Sequence, residues 1–471
     1  MMDKLLTFAN TYLLGPGLTI TVFLCGAFLL IRLGPFALIH PKRTLGALTD
    51  KPDDGISPAK AMCVALAGTL GVGNIAGVAS AIWLGGAGAI FWMWVSALAA
   101  MPIKYAEIVL AVGHRRASDE AKSGRYRGGA HFYIYDLADA GYGRRLTRFF
   151  AGFFAVLCLA TSLTMGSAVQ SNAVAVSLGE LCGLDPLLCG LLLSIPVLAA
   201  VTGGLRRIAD LTAKLVPLMS AVYIIMSLYV IFSNIGLMGA VISDIVASAF
   251  SARAAGGGIL GFLTCRTLAI GVTRGIVSNE AGCGTAPIAH ASANVRSPAI
   301  QGVWGMVEVL ADTLVICSMT AFVVLIGEKR GIPIVSDGMT AALNAFGSFI
   351  PFAKPLLTAS VLIFAFCTIV CWFYYGSESL SYLTKRKGAL TAYTIIYAAC
   401  TVFGAPVSGG LVWNSADFTV SAMTAVNIIA VMLYVSEIKR ETDNYFGKPA
   451  GIFVGKRARN LTRQVENRRI L

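Results

Sequence analysis

Eleven apolar runs follow one another along this chain, most of them near or above the roughly 20 residues that a helix needs to cross a hydrocarbon core of about 30 Å. They fall at about 11 to 33, 57 to 83, 87 to 113, 149 to 178, 187 to 203, 211 to 234, 257 to 292, 301 to 327, 353 to 376, 388 to 404 and 415 to 436. Water is absent at that depth, so every backbone N–H and C=O must be paired inside the protein. The expected fold class is therefore an all-α polytopic membrane protein. With 56% apolar and 13% charged residues, and a mean hydropathy of +0.75, no separate soluble domain is expected.

The formal net charge of +13 resides in alternate loops. Arg32, Lys42, Arg43 and Lys51 follow the first run, and a second group from Arg115 to Arg148 follows the third. Arg206, Arg207 and Lys214 come next, then Lys385, Arg386 and Lys387, and a basic tail from Lys439 to Arg469. No polar domain gathers these charges into a face for nucleic acid. Basic loops stay on the cytoplasmic side of the cell membrane, which puts the N-terminus outside and the C-terminus inside, as eleven crossings also require. The tail 437–471 is expected against anionic lipid headgroups. The loop 114–148 reads as a cytoplasmic connector with one surface helix. The first run exceeds a signal-peptide core and lacks a small-x-small site before Arg32, so it reads as a retained helix. The eleven cysteines show no metal spacing and read as packing residues, with Cys182 and Cys189 the one pair placed for a disulfide.

Two runs are interrupted at mid-depth by glycine and polar residues. The first reads Ala65-Leu-Ala-Gly-Thr-Leu-Gly-Val-Gly-Asn-Ile-Ala-Gly77, and the second reads Gly271-Val-Thr-Arg-Gly-Ile-Val-Ser-Asn-Glu-Ala-Gly-Cys-Gly-Thr-Ala-Pro287. Unpaired backbone in hydrocarbon costs several kcal/mol per group, so unwound chain survives there only when buried in protein or facing a ligand or water. Small-residue helix packing is the plainer explanation of a glycine stripe. Arg274, Ser278, Asn279 and Glu280 within seven residues favour a site instead. With the run 11–33 set aside, the breaks fall in helices 1 and 6 of the remaining ten. That is the spacing of two five-helix inverted repeats, 57–234 and 257–436, each opening with a broken helix, as in secondary transporters.

At such a break the freed amides attract an anion and the freed carbonyls a cation. Amides near Val72, Gly73 and Asn74 suit a carboxylate, and the Asn74 side chain suits an ammonium or a neighbouring loop. Thr368 and Trp372 share a helical face in the run 353–376, where they read equally as a ligand wall or as core residues. Gln170 is a further uncharged candidate. Glu308 with Asp312, and Lys104 with Glu107, read as partners for neighbouring helices rather than as an ion path, with Arg274 and Glu280 bracing the second break. No nucleophile and base, nucleotide loop or metal cluster marks an enzyme, and a channel would need polar residues along a whole pore.

The segments Gly71-Val-Gly-Asn-Ile-Ala-Gly-Val-Ala79, Gly88-Ala-Ile-Phe-Trp-Met-Trp94, Lys104-Tyr-Ala-Glu107, Gly275-Ile-Val-Ser-Asn-Glu-Ala-Gly282, Ala286-Pro-Ile-Ala-His290 and Trp372-Phe-Tyr-Tyr-Gly376 resemble the alanine or glycine:cation symporters, also called sodium:alanine symporters. The resemblance implies a leucine-transporter-type fold with one extra N-terminal helix, and cotransport of a small neutral amino acid with a cation, sodium first. It implies a substrate pocket at Gly73, Asn74, Gln170, Ser278, Asn279 and Trp372. The cation is implied between the carbonyls of Ala67 and Leu70 and the helix carrying Phe364, Cys367 and Thr368. Val72, Cys367 and Gly128-Gly-Ala-His-Phe-Tyr133 depart from the family pattern. Because a thiol is a poor ligand for a hard cation, proton coupling remains the alternative.

Overall fold

A computed structural model describes residues 6–10, 15–50, 55–117, 126–250, 266–386 and 388–447. Its helices in chain order are α1 (Gly15–Leu33), α2 (Phe36–Ile39), α3 (Pro41–Thr49), α4 (Pro58–Thr69), α5 (Ala76–Gly85), α6 (Gly88–Gly113), α7 (Ala130–Asp136), α8 (Arg144–Leu163), α9 (Val169–Cys182), α10 (Pro186–Val201), α11 (Gly204–Ser233) and α12 (Ile235–Ala249). There follow α13 (Arg266–Asn279), α14 (Ala286–His290), α15 (Pro298–Val309), α16 (Ser318–Lys329), α17 (Gly338–Phe349), α18 (Ala353–Leu383), α19 (Ala389–Gly404), α20 (Gly409–Leu433) and α21 (Val435–Phe446). The sheet among the described residues is a small antiparallel ribbon pairing Arg116 with Arg127 and Ala117 with Tyr126.

Six continuous helical stretches are long and apolar enough to span: α6, α8 with α9, α11, α15 with α16, α18 and α20. The composite stretches run through π-helical turns at Thr164–Ala168 and Leu310–Cys317. Together α4 and α5 form a seventh span, bent by 62°. Shorter helices α1, α10 and α19 coincide with three more of the expected runs. Of the run 257–292, residues up to 265 lie outside the described chain; the rest is α13, a break, and α14.

Helix α6 is the axle of the fold. Added Cβ atoms at Gly271 and Gly275 of α13, and at Gly302 and Gly305 of α15, would collide with α6, so small residues let both helices seat directly on it. Both helices thereby carry their polar side chains to the interior.

Besides the short α2, α3 and α7, three helices fall outside the expected runs. The 15-residue α12 is apolar but too short to span, and it lies against α6, where the Trp92 indole donates to the Ala249 carbonyl at 3.3 Å. Helix α17 starts on Asp337, whose carboxylate accepts the Thr340 amide at 2.8 Å. Helix α21 covers the first part of the expected tail. Its residues dock on the protein: the Arg43 guanidinium donates to the carbonyls of Tyr445 and Phe446, and the Tyr105 and Thr442 hydroxyls pair at 2.9 Å. Residues 448–471 lie outside the described chain. In the connector, α7 is no surface helix: Ala130, His131, Tyr133, Ile134 and Asp136 are buried. Cys182 and Cys189 are free thiols.

Candidate functional site

The first break replaces helix hydrogen bonds by side-chain ones. Leu70 N–H still reaches back to the Leu66 carbonyl at 2.7 Å, but Gly71 N–H turns to Thr69 at 2.8 Å and Val72 N–H leaves the helix for Gln170 Oε1 at 3.1 Å. The carbonyls of Ala67 and Gly68 thereby lose their expected i+4 donors. Thr368 Oγ1 donates to the Ala67 carbonyl at 2.8 Å, and Trp372 Nε1 donates to the Gly68 carbonyl at 3.3 Å. Neither side chain is a plain core residue bonded to its own helix; both stitch α18 to the break. A single helical turn, Val72–Asn74, then leads into α5.

Glycine is required at position 71 because its Cβ would stand 2.8 Å from Gln170 Oε1 and 2.9 Å from Thr368 Oγ1. At Gly73 there is more room, the nearest atom to such a Cβ being Met165 Cε at 3.7 Å. Gln170 reaches the break because the π-helical turn before it shifts the register of α9, and its Nε2 donates to the Met165 carbonyl at 3.1 Å.

The second break begins where α13 ends. Glu280, Gly282 and Gly284 take positive φ of 53°, 82° and 78°, which no helix accommodates. Asn279 Oδ1 accepts Ala281 N–H at 3.0 Å, and Thr285 Oγ1 donates to Glu280 Oε2 at 2.6 Å across the break. Helix α6 supplies the rest: Lys104 Nζ donates to the Asn279 carbonyl at 2.9 Å, and Glu107 Oε2 accepts Gly284 N–H at 3.0 Å. Asn427 of α20 donates to the Gly282 carbonyl at 2.8 Å and to Glu107 Oε2 at 2.9 Å. Lys104 also pairs with Glu308 at 3.1 Å. Arg274 reaches Asp417 of α20 at 3.1 Å, so it braces α13 one turn before the break.

Asp312 joins the two breaks. Its Oδ1 accepts Asn74 Nδ2 at 2.7 Å, and its Oδ2 accepts the hydroxyls of Ser278 at 2.6 Å and Thr313 at 2.9 Å. Asn279 Nδ2 donates to Thr313 Oγ1 at 3.1 Å, and Thr320 Oγ1 donates to the Asn74 carbonyl at 2.6 Å. Sequence reasoning treated Asp312 as a helix partner and missed this role. Its four-residue spacing from Glu308, which faces Lys104 beneath the second break, was the signal available.

Val72, Asn74, Gln170, Ser278, Asn279 and Trp372 are therefore gathered around the two breaks and are all but sealed from solvent. One expectation changes. Of the amides offered to an anion, Val72 is taken by Gln170 and Asn74 by the Gly71 carbonyl at 3.3 Å, because a buried N–H cannot stay unpaired. Of the expected cation set, Ala67 and Thr368 are in direct contact, and Leu70 caps α4 beside them. Phe364 and Cys367 are buried on α18, with the Phe364 ring against Tyr223 at a centroid distance of 6.1 Å. Phe364 can offer only its backbone carbonyl, and Cys367 a sulfur in addition to its own carbonyl.

Membrane-spanning helices with two breaks bound together in the interior define a fold of the leucine-transporter type. The crystal structure of MhsT in complex with L-phenylalanine shares this fold at a TM-score of 0.60, covering 85% of this chain and 95% of that one, with 13% sequence identity. The model of the sodium:alanine symporter family matches residues 1–451, and the chain belongs to that family. It is 36% identical over 448 residues to the sodium/alanine symporter AgcS of Methanococcus maripaludis, covering 93% of this chain and 96% of AgcS. It is 34% identical over 438 residues to the "Probable sodium/glutamine symporter GlnT" of Bacillus subtilis, covering 92% and 88%. The chain is thus a multi-pass membrane protein and a cation-coupled amino-acid symporter, not an enzyme.

Proposed function

We propose that the protein carries alanine or glycine into the cell together with sodium, by alternating access between the repeats 57–234 and 257–436, with its N-terminus outside and its C-terminus in the cytoplasm. The observation that carries this reading is the exchange of hydrogen bonds at residues 67 to 72, which leaves the Ala67 carbonyl facing the Thr368 hydroxyl at 2.8 Å. A sodium ion placed there draws lone pairs from both oxygens once the hydroxyl proton turns away, with the carbonyls of Leu70 and Phe364 completing a hard-oxygen set. Cys367 adds no oxygen from its side chain.

The amino acid docks beside the cation. Its carboxylate competes with Gln170 Oε1 for the Val72 amide, and Gly73, Asn74, Ser278, Asn279 and Trp372 enclose the remainder.

Alanine and glycine uptake into proteoliposomes tests the reading, first under an imposed sodium gradient and then under a proton gradient without sodium. Saturable sodium-driven uptake with counterflow is expected. Uptake indifferent to sodium would reject sodium coupling. Uptake driven by protons alone would move the coupling to the proton, the second reading that Cys367 motivates. A linear, non-saturating conductance would reject a carrier.

A further inference from the structure

Four carboxylates are buried around the second break: Glu107 on α6, Glu280 in the break, and Glu308 and Asp312 on the stretch from α15. Lys104 is the cation that faces Glu107, Glu280 and Glu308. His290 adds no positive charge. Its Nε2–H donates to Glu308 at 2.9 Å while its Nδ1 accepts Gln301 Nε2–H at 2.6 Å, and that amide is oriented by donating also to the Pro58 carbonyl at 3.3 Å. An imidazole with one ring nitrogen accepting is neutral.

The four acids are unequally served. Asp312 accepts three hydrogen bonds, Glu308 has Lys104 and His290, and Glu107 accepts two N–H groups. Glu280 accepts one, from Thr285, and its Oε1, like Glu107 Oε1, is buried without a hydrogen-bond partner. The other titratable groups within electrostatic reach of Glu280 are thiols and a phenol: Cys283 in the break, Cys158 on α8, and Cys371 and Tyr375 on α18. Of the four, Glu280 accepts the fewest hydrogen bonds, and Lys104, the cation it faces, is bonded instead to Glu308 and the Asn279 carbonyl.

We infer that Glu280 is a proton-binding site, loaded while the second break is closed over it and unloaded when the break opens, so that a proton is linked to transport separately from the cation at Ala67 and Thr368. On opening, the carboxyl O–H bond breaks, the proton passes to water in the opened pathway, and the carboxylate remains. Closure reverses this by taking a proton from water. A hard cation at the same oxygen would need several further oxygen ligands, whereas a proton needs one.

The consequence for transport rests on the carrier reading above, but the site itself is tested without any substrate. Infrared spectra of the full chain in lipid nanodiscs, in sodium-free buffer, are expected to show a protonated carboxylic acid at neutral pH. That band is lost on alkalinisation, retained in Glu107→Gln and missing in Glu280→Gln. Absence of the band from the wild type overturns the proposal even if Glu280→Gln does not fold, as does its persistence in Glu280→Gln or its removal by sodium at constant pH. In proteoliposomes, the rate of alanine uptake is expected to depend on pH in the wild type and not in Glu280→Gln; equal pH dependence in both overturns the linkage. The infrared band without any uptake would leave the proton site standing and reject only the carrier reading.

Discussion

Asp312 accepts three hydrogen bonds in the interior, two of them from opposite breaks. Replacing it therefore affects two elements at once. Asp312→Ala removes the short bonds to Asn74 Nδ2 and the Ser278 hydroxyl and leaves them only the weaker acceptor Cys317 Sγ, at 3.4 and 3.1 Å, which should cost about 1–3 kcal/mol of stability and lower alanine uptake. Asp312→Asn keeps one acceptor and should lose less. Alanine uptake measured alongside thermal unfolding checks this, and wild-type values for Asp312→Ala would refute the linking role. Gln170→Leu is the companion test, since it leaves the buried Val72 N–H unpaired. The ligand-free protein should lose about 1–3 kcal/mol of stability, read as a lowered unfolding midpoint; an unchanged midpoint would show that Gln170 does not close the break.

Among the elements, the docking of α21 beside the connector has a pH signature. His114, one residue past α6, lies with Nδ1 at 2.8 Å from Asp136 and Nε2 at 3.4 Å from Glu437 of α21. Burial disfavours its charged form, but hydrogen bonding to Asp136 and Glu437 overcomes this and raises its pKa above the usual histidine value. A raised pKa contributes stability that is complete below the unfolded value of about 6.5 and disappears as pH climbs through the folded one. The stability difference between wild type and His114→Gln should therefore shrink as pH rises from acid to alkaline; a constant difference would contradict the charged pairing. The sequence showed neither the docked α21 nor α12 and α17. Val435–Phe446 is too polar to look membrane-bound, and the 15 residues of Ile235–Ala249 and 12 of Gly338–Phe349 fall short of a span. The two breaks were legible because glycine and polar residues at mid-depth contradict a lipid-facing helix. Which faces of other helices meet them was not, since Thr368, Trp372 and Gln170 show their direction only after packing; Asp312, a lone acid in an apolar run, looked like any buried partner.

At the scale of the whole molecule, the described conformation is closed. The gathered site residues are buried, and side-chain hydrogen bonds tie the first break to α9, to α18, to Asp312 and to Thr320 of α16. A carrier that alternates must exchange these contacts for ligand contacts, and the cation is the ligand proposed to make the exchange at Ala67 and Thr368. Alanine binding to the purified protein, titrated with and without sodium in wild type and in Thr368→Ala, measures that coupling directly. Sodium should tighten alanine binding to the wild type by tenfold or more, about 1.4 kcal/mol of coupling, and Thr368→Ala should lose that sodium effect. Undiminished sodium dependence in Thr368→Ala would contradict a cation site between the first break and α18.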